Sequence, residues 1–151
     1  MKELKFGNSQ IIIQSFLDLK RQSQIASEAI GINPDDAQAH HRLGVAFAAQ
    51  GQSESAIKEL KTVIELDSGN SEARYLLALS FALNEQFDQA IAEFREVLRG
   101  TPDNAQVHLE LGSVLYKADQ RSEARAVWEK VQTLGDDDLA KQAQKMLSRN
   151  A

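Results

Sequence analysis

A spacing of 34 residues recurs through the middle of this sequence and limits what the chain can fold into. Leu43, Leu77 and Leu111 are separated by this spacing, and five further columns of residues repeat with it. These columns are Gly44, Ala78 and Gly112; Phe47, Phe81 and Leu115; Ala56, Ala90 and Ala124; Leu60, Phe94 and Trp128; and Val63, Val97 and Val131. Agreement at one period indicates an internal repeat, whose copies bury their apolar faces against one another.

Within one copy, the apolar residues follow the period of an α-helix twice. Leu43 and Phe47 are four residues apart and share one helix face, while Ala56 and Leu60 share a face of a second helix. The polar segment 50–53 between them contains a glycine, and we expect the first helix to end there. The column of Gly and Ala beside the leucines is expected where the two antiparallel helices cross closely, because a larger side chain would separate them.

Composition and helix-end signals agree with an all-helical chain. Ala, Leu, Glu, Gln and Lys are abundant, and runs of alternating Val, Ile and Thr that would indicate strands are missing. Pro34 and Pro102 follow a second helix, which a residue without an N–H cannot continue. The candidate N-caps of the next helix are Asp35, Asp36, Asp103 and Asn104. Charged residues of the second helices, Glu59 and Glu93 among them, are expected on a solvent-facing side.

These residues resemble the tetratricopeptide repeat, a helix–turn–helix unit of 34 residues. The Leu-Gly pair of that family is present at Leu43-Gly44 and Leu111-Gly112, with Leu77-Ala78 between them, and its alanine is present at Ala56, Ala90 and Ala124. The sequence departs from the family where Ser68 replaces a proline and where His40, Arg74 and His108 stand at a frequent tryptophan position. The resemblance implies an all-α, right-handed superhelical solenoid of antiparallel helix pairs that binds other proteins.

Three full copies are predicted at residues 37–70, 71–104 and 105–138, within a single domain. A C-terminal capping helix is predicted at 136–151, because a solenoid exposes an apolar stacking face at its end. Asp136, Asp137 and Asp138 would form the N-terminus of this helix, where carboxylates cap the backbone and suit the helix dipole. We prefer that interpretation to a metal site, since divalent-ion loops spread their ligands along the chain.

The segment 1–36 is predicted to be an N-terminal helix or a degenerate repeat. An apolar stripe with 4, 3, 4, 3, 4 spacing is formed by Ile12, Phe16, Leu19, Ser23, Ala26 and Ile30. The stripe favours one long helix from about Ser9 to Ile30, and a folded-back pair broken near Asp18 is the alternative. A long helix would expose Ile11, Ile12, Ile13 and Phe16 as a self-association or partner site. Packing of these residues on the first repeat is the competing expectation.

The resemblance implies a ligand groove lined by the first helix of each copy. The positions that would line it are Gln38, His41, Val45, Glu72, Tyr75, Leu79, Gln106, Leu109, Ser113 and Tyr116. Tyr75 and Tyr116 are the strongest contact candidates, because a tyrosine offers apolar area and a polar tip. Packing between repeats is the competing interpretation for Val45, Leu79 and Leu109.

Several function classes find no support in the sequence. The net charge of −5 and the lack of a Lys/Arg cluster argue against nucleic-acid binding. We find no apolar run that could insert in a membrane, no signal peptide, and no pattern typical of a catalytic, metal or cofactor site. A cytoplasmic location is favoured. The sequence therefore predicts a module that holds another protein or peptide, with homodimerisation through the N-terminal helix or the solenoid ends as the alternative.

Overall fold

The regular elements of this chain are α-helices. A computed structural model describes the backbone of residues 2–150 and the side chains of residues 10–150, and no residue in that range lies in a strand. None of the described helices is both long and apolar enough to cross a membrane. Packing divides the chain into two compact units, residues 1–69 and 70–151.

The first unit contains three helices. They are α1 (Lys2–Ile32), α2 (Ala37–Ala49) and α3 (Ser53–Leu66), and α2 packs on both of the others. Of the two alternatives for the N-terminal segment, the structure has the single long helix. No proline or glycine occurs between residues 9 and 30 to stop it, and its serine hydroxyls donate to carbonyls four residues earlier within the helix.

The second unit contains five helices over its described residues. They are α4 (Ser71–Leu83), α5 (Phe87–Gly100), α6 (Ala105–Lys117), α7 (Arg121–Val131) and α8 (Asp137–Arg149). Consecutive helices pack on one another from α4 to α8. The last helix, α8, packs mainly on α7 and buries Ala143 completely.

The same turn joins the two helices of each pair. Its central residue has a left-handed backbone, with φ of 72° at Gly51, 58° at Glu85 and 61° at Asp119. In each turn the next N–H donates back to a carbonyl of the first helix, as Gln52 does to Phe47 at 2.9 Å. The first helix ends at the segment 50–53, as predicted, because this hydrogen bond closes it.

The predicted N-caps are confirmed at three helices. Asp36 accepts from the N–H of Ala39 at 3.0 Å and Asn104 accepts from that of Val107 at 3.1 Å. Asp136 caps α8 by accepting from the N–H groups of two residues that follow it. No cluster of His, Cys, Asp or Glu suited to a metal ion occurs among the described residues.

The helices of a pair approach most closely at the glycines, as predicted. A Cβ added to Gly44 would lie 2.8 Å from Cγ of Leu60, and one added to Gly112 would lie 2.4 Å from Nε1 of Trp128. Leu60 and Trp128 are buried, so neither can move aside at low cost. The small-residue column is therefore a packing requirement of the helix pair.

The expectation that Glu59 and Glu93 face solvent is wrong. Glu59 Oε2 lies 2.6 Å from Nδ1 of His40, and Glu93 Oε2 lies 2.8 Å from a guanidinium nitrogen of Arg74. The two glutamate side chains are only 13% and 23% exposed. Each carboxylate turns back to the first helix of its pair because a cationic or hydrogen-bonding partner stands 19 residues before it.

Candidate functional site

The α4/α6 face is the surface where most of the predicted groove residues meet. We define it by Glu72, Tyr75, Leu79 and Leu83 of α4 and Gln106, Glu110, Ser113 and Lys117 of α6. Within each set the residues are three or four positions apart, so they share one side of their helix. Members of both sets line the same two cavities, which places the two rows on a common surface.

One cavity of this face has a mainly apolar wall that carries several polar side chains. Its volume is about 330 Å³, and Tyr75 lies in its wall between Glu72 of α4 and Gln106 of α6. The cavity is lined by Ser71, Glu72, Tyr75, Val97, Thr101, Asn104, Gln106 and Val107. The ring of Tyr75 packs edge-on against Phe94 with 6.0 Å between centroids, which fixes the direction of the side chain. A ligand here would meet hydroxyl, amide and carboxylate groups.

The second cavity of the face is mainly apolar. Its volume is about 550 Å³, which is sufficient for one or two side chains of a ligand. It is lined by Leu79, Ala82, Leu83, Glu85, Phe87, Glu110, Ser113, Val114 and Lys117. Leu83 is 68% exposed although it is a large aliphatic residue at a cavity wall. Its exposed area is available to an apolar group of a partner.

Glu110 connects the two cavities electrostatically. It lines the cavity that contains Leu79. Burial of the phenol is the main cause that raises the pKa of Tyr75, and the negative charge of Glu110 raises that pKa further. The Glu110 carboxylate accepts a hydrogen bond from Nε2 of Gln106 at 2.8 Å. Among the described residues it makes no ion pair.

Three predicted groove residues lie in the first unit. Gln38 and Val45 of α2 are exposed, Val45 at 36%, and are available for contact. His41 is half-buried, and its Nε2 is buried without a hydrogen-bond partner among the described residues.

Leu109 and Tyr116 serve packing to different degrees. Leu109 is 5% exposed and its carbonyl oxygen accepts from Nε1 of Trp128 at 3.4 Å, so its side chain belongs to the core. Tyr116 is half-buried, with its ring 5.9 Å from that of Trp128 and the guanidinium of Arg121 5.5 Å above it. The half-buried side chain of Tyr116 keeps some exposed area.

Sequence reasoning missed Leu83, Phe87 and Lys117, and left Glu110 out of the groove set. The signal for Glu110 and Lys117 is the 4, 3, 4 spacing through 106, 110, 113 and 117, which marks one face of α6. Phe87 could not be found in this way, because it belongs to the second helix of its pair and reaches the cavity only from the first turn of α5.

The N-terminal helix exposes large apolar residues on several sides. The predicted self-association residues are among them, with exposures of 65% at Ile11, 69% at Ile12, 58% at Ile13 and 49% at Phe16. Ile12 and Phe16 line a shallow depression beside the C-terminal end of α2. Three further residues, Leu17, Ile25 and Ile32, lie outside the sequence stripe and are at least 50% exposed. These residues gain little burial from their own unit.

Comparison with solved structures shows the fold. A crystal structure of MamA superposes with a TM-score of 0.75 at 20% identity, covering 81% of this chain and 71% of that one. MamA from residue 41 to its end, from Desulfovibrio magneticus RS-1, has a TM-score of 0.74 at 22% identity and covers 82% and 70%. MamA MSR-1 has a TM-score of 0.73 at 22% identity and covers 78% and 67%. No curated protein matches the chain significantly.

Family models described as tetratricopeptide repeat match most of the chain. One matches residues 24–71 and 41–105, and a second matches residues 81–149. The first match starts at residue 24, inside α1. The predicted all-α fold of helix pairs is thereby confirmed, as is the general role of this fold in binding other proteins. The chain belongs to the tetratricopeptide repeat family.

Proposed function

We propose that this chain is a non-enzymatic module that binds a segment of another protein, and that the α4/α6 face is its principal binding surface. The observation that supports this most strongly is the convergence of two helix rows on two cavities whose walls are mainly apolar and carry a few polar side chains. Such a pair can hold an apolar anchor and orient the polar backbone or side chains beside it. Gln38, His41 and Val45 occupy the corresponding register positions in the first unit and extend the candidate set.

Tyr75 and Leu79 are the residues on which binding should depend most. Tyr75 lines one cavity with a ring that packs against Phe94, and Leu79 lines the other. Tyrosine contributes large contact area at low conformational-entropy cost, which makes it a frequent anchor in binding sites. Tyr116 is a second candidate because part of its ring is exposed.

The test is a quantitative comparison of captured proteins. Immobilised wild-type chain, Tyr75→Ala, Tyr116→Ala and Leu79→Asp are exposed to the same cell extract, and bound proteins are quantified by mass spectrometry. Proteins that bind the α4/α6 face should be depleted at least about fivefold by Tyr75→Ala and Leu79→Asp, consistent with a loss of about 1 kcal/mol or more for an interface anchor. Leu66→Ala is the matched control, since Leu66 is 40% exposed and lines neither cavity.

Folding is controlled by far-ultraviolet circular dichroism. Tyr75 packs on Phe94 and Tyr116 packs on Trp128, so each variant must retain the helical spectrum before its binding is interpreted. Equal capture by wild type and by folded Tyr75→Ala and Leu79→Asp variants would contradict binding at the α4/α6 face.

Self-association through α1 is the second candidate function. Ile11, Ile12, Ile13 and Phe16 are about half exposed or more, and full burial of each such side chain contributes roughly 1.5–3 kcal/mol. Two copies could bury these residues symmetrically, each copy offering the same helix to the other.

Light scattering across a hundredfold dilution tests self-association. A dimer should become monomeric on Ile12→Asp with Phe16→Asp. It should also become monomeric on Ile13→Asp with Leu17→Asp if these two residues belong to the dimer interface. A wild-type monomer that loses stability with Ile12→Asp and Phe16→Asp would show that these residues pack within their own unit. That result would exclude the dimer.

A further inference from the structure

The lining of the α4/α6 face is unequally charged. Glu72 lines the cavity that contains Tyr75, and Glu85 and Glu110 line the cavity that contains Leu79. Among the described residues, Lys117 is the only cation that lines either cavity. The surface that receives a ligand is therefore acidic, with three carboxylates against one ammonium group.

Lys117 does not neutralise Glu110. The two residues are seven positions apart on α6, which corresponds to about 10 Å along the helix axis. Among the described residues no ion pair joins them, and the only polar partner of the Glu110 carboxylate is the neutral amide of Gln106. Arg74, on the neighbouring helix α4, pairs with Glu93.

The position of Glu110 makes its charge available to a ligand. Its side chain is half-buried, so the carboxylate is partly removed from water, and it lines the apolar cavity beside Leu79 and Leu83. A carboxylate in such surroundings interacts more strongly with a cation than one on an open surface. The apolar wall next to it selects an aliphatic or aromatic side chain.

We propose that the segment bound at the α4/α6 face carries a lysine or arginine that pairs with Glu110, next to an apolar side chain that fills the cavity walled by Leu79 and Leu83. This specificity rests on the binding function proposed above. Charge complementarity selects the cation, and the apolar cavity selects its neighbour. An acidic segment is excluded by repulsion from Glu72, Glu85 and Glu110.

Selection from a phage-displayed library of random dodecapeptides on the full-length chain tests this proposal. The selected peptides should be enriched in Lys or Arg within about three residues of Leu, Ile, Met or Phe. Synthetic fluorescent versions are then titrated by anisotropy against wild type, Glu110→Gln and Glu110→Lys. We expect Glu110→Gln to weaken binding about tenfold, as the loss of a charge-assisted hydrogen bond does, and Glu110→Lys to weaken it further.

Glu129→Lys is the matched control. It changes the net charge by the same amount as Glu110→Lys, but Glu129 is exposed on α7 and lines neither cavity. Binding should be unchanged in this variant at physiological ionic strength, because screening suppresses charge effects at long range. Equal losses of peptide affinity in Glu110→Lys and Glu129→Lys would show that net charge alone causes the effect, and would overturn the proposal.

The outcomes separate this proposal from the binding function on which it rests. Peptides that need Tyr75 and Leu79 but show no basic preference would overturn the cation specificity and leave the α4/α6 face as the binding surface. Peptides unaffected by Tyr75→Ala and Leu79→Asp, or a library that yields none, would overturn both. A basic preference that is lost with Glu110→Lys and kept with Glu129→Lys would support both.

Discussion

The α2/α3 pair of the first unit and the α6/α7 pair of the second are built on the same register, 68 residues apart, and differ at two contacts. At the helix crossing, Gly44 faces Leu60 in one pair, whereas Gly112 faces Trp128 in the other. His40 contacts Glu59, which stands 19 residues after it. The residue 19 positions after the equivalent His108 is Val127, which has no carboxylate. The repeat thus fixes where helices cross and leaves the chemistry at each crossing free to vary.

The two histidines occupy equivalent positions but have different hydrogen-bond partners. Each Nε2 donates to a proline carbonyl six residues earlier, at 2.8 Å for His40 and 2.7 Å for His108. Nδ1 of His40 also donates, to Glu59 at 2.6 Å, so both ring nitrogens face acceptors and the imidazolium is favoured. Nδ1 of His108 is buried without a hydrogen-bond partner among the described residues.

The pKa of His40 reflects this environment. Burial by itself would lower it, but the carboxylate of Glu59, the carbonyl of Pro34 and the charge of Asp36 outweigh burial and raise the pKa above 6.5. Because the folded pKa is raised, the stabilisation is fully present below the ordinary value and is lost as the pH rises through the folded pKa.

The largest expected effect is at Trp128. Trp128→Ala should lower the free energy of unfolding by about 3–5 kcal/mol, since it empties the volume of a buried indole and removes the hydrogen bond to the Leu109 carbonyl. Urea denaturation followed by circular dichroism measures the change. Trp128→Phe should cost less, because Phe94 occupies the equivalent position of the α4/α5 pair. Equal stability of Trp128→Ala and wild type would contradict this packing.

Substitution of the crossing glycines should have the next largest effect. Gly112→Ala should destabilise by roughly 1–3 kcal/mol, the usual cost of overpacking a tight contact. Gly44→Ala should cost less, because its Cβ would meet Leu60 at 2.8 Å, whereas that of Gly112 would meet a rigid ring at 2.4 Å. Gly100→Ala is the control, since no atom lies within 4 Å of its added Cβ. Thermal melts of the three variants rank their losses of stability. A larger loss for Gly44→Ala than for Gly112→Ala would contradict this difference between the two pairs.

The ion pair of the α2/α3 pair should make a smaller, pH-dependent contribution. Glu59→Gln should cost about 1 kcal/mol near pH 6, the difference between a charged and a neutral hydrogen bond. This difference from wild type should shrink as the pH rises above the raised pKa of His40. Chemical denaturation from about pH 6 to about pH 9 measures it.

A carboxylate introduced at the equivalent position of the α6/α7 pair tests the same difference between the two helix pairs. Val127→Glu should give the α6/α7 pair a similar pH dependence, because the new carboxylate would stand 19 residues after His108 as Glu59 does after His40.

A cost of Glu59→Gln that is constant with pH would show that the His40 pair does not change its protonation in this range.

The smallest expected effect is at the turns. Gly51 and Asp119 hold the same left-handed position, which costs a non-glycine residue roughly 1–2 kcal/mol. Asp119→Gly should therefore stabilise the chain by about 0.5 kcal/mol, after the entropy of glycine and loss of the exposed Arg121 contact are deducted. Gly51→Asp should destabilise it. Differential scanning fluorimetry with replicate samples resolves both changes, and a loss of stability in Asp119→Gly would contradict the strain at this turn.

Much of the local structure followed from the sequence. The 34-residue period, the glycine turn at 50–53, and the caps at Asp36, Asn104 and Asp136 depend on backbone chemistry within a few residues, which the sequence states directly. The sequence also predicted the glycines at the helix crossings. A small residue that recurs at the same position of every copy indicates the same close packing in each helix pair.

Other features depended on tertiary structure. The sequence assigned Glu59 to a solvated face, and its contact with His40 arises because the two helices of the pair fold back on each other. Glu110 and Phe87 meet in one cavity only after three helices have packed. Leu109 was a groove candidate by position, but packing within its unit leaves it only 5% exposed, so it is part of the core. Residue type and spacing thus determined the repeat, whereas the identity of neighbours 19 or more residues away decided which side chains are buried, paired or left free for a partner.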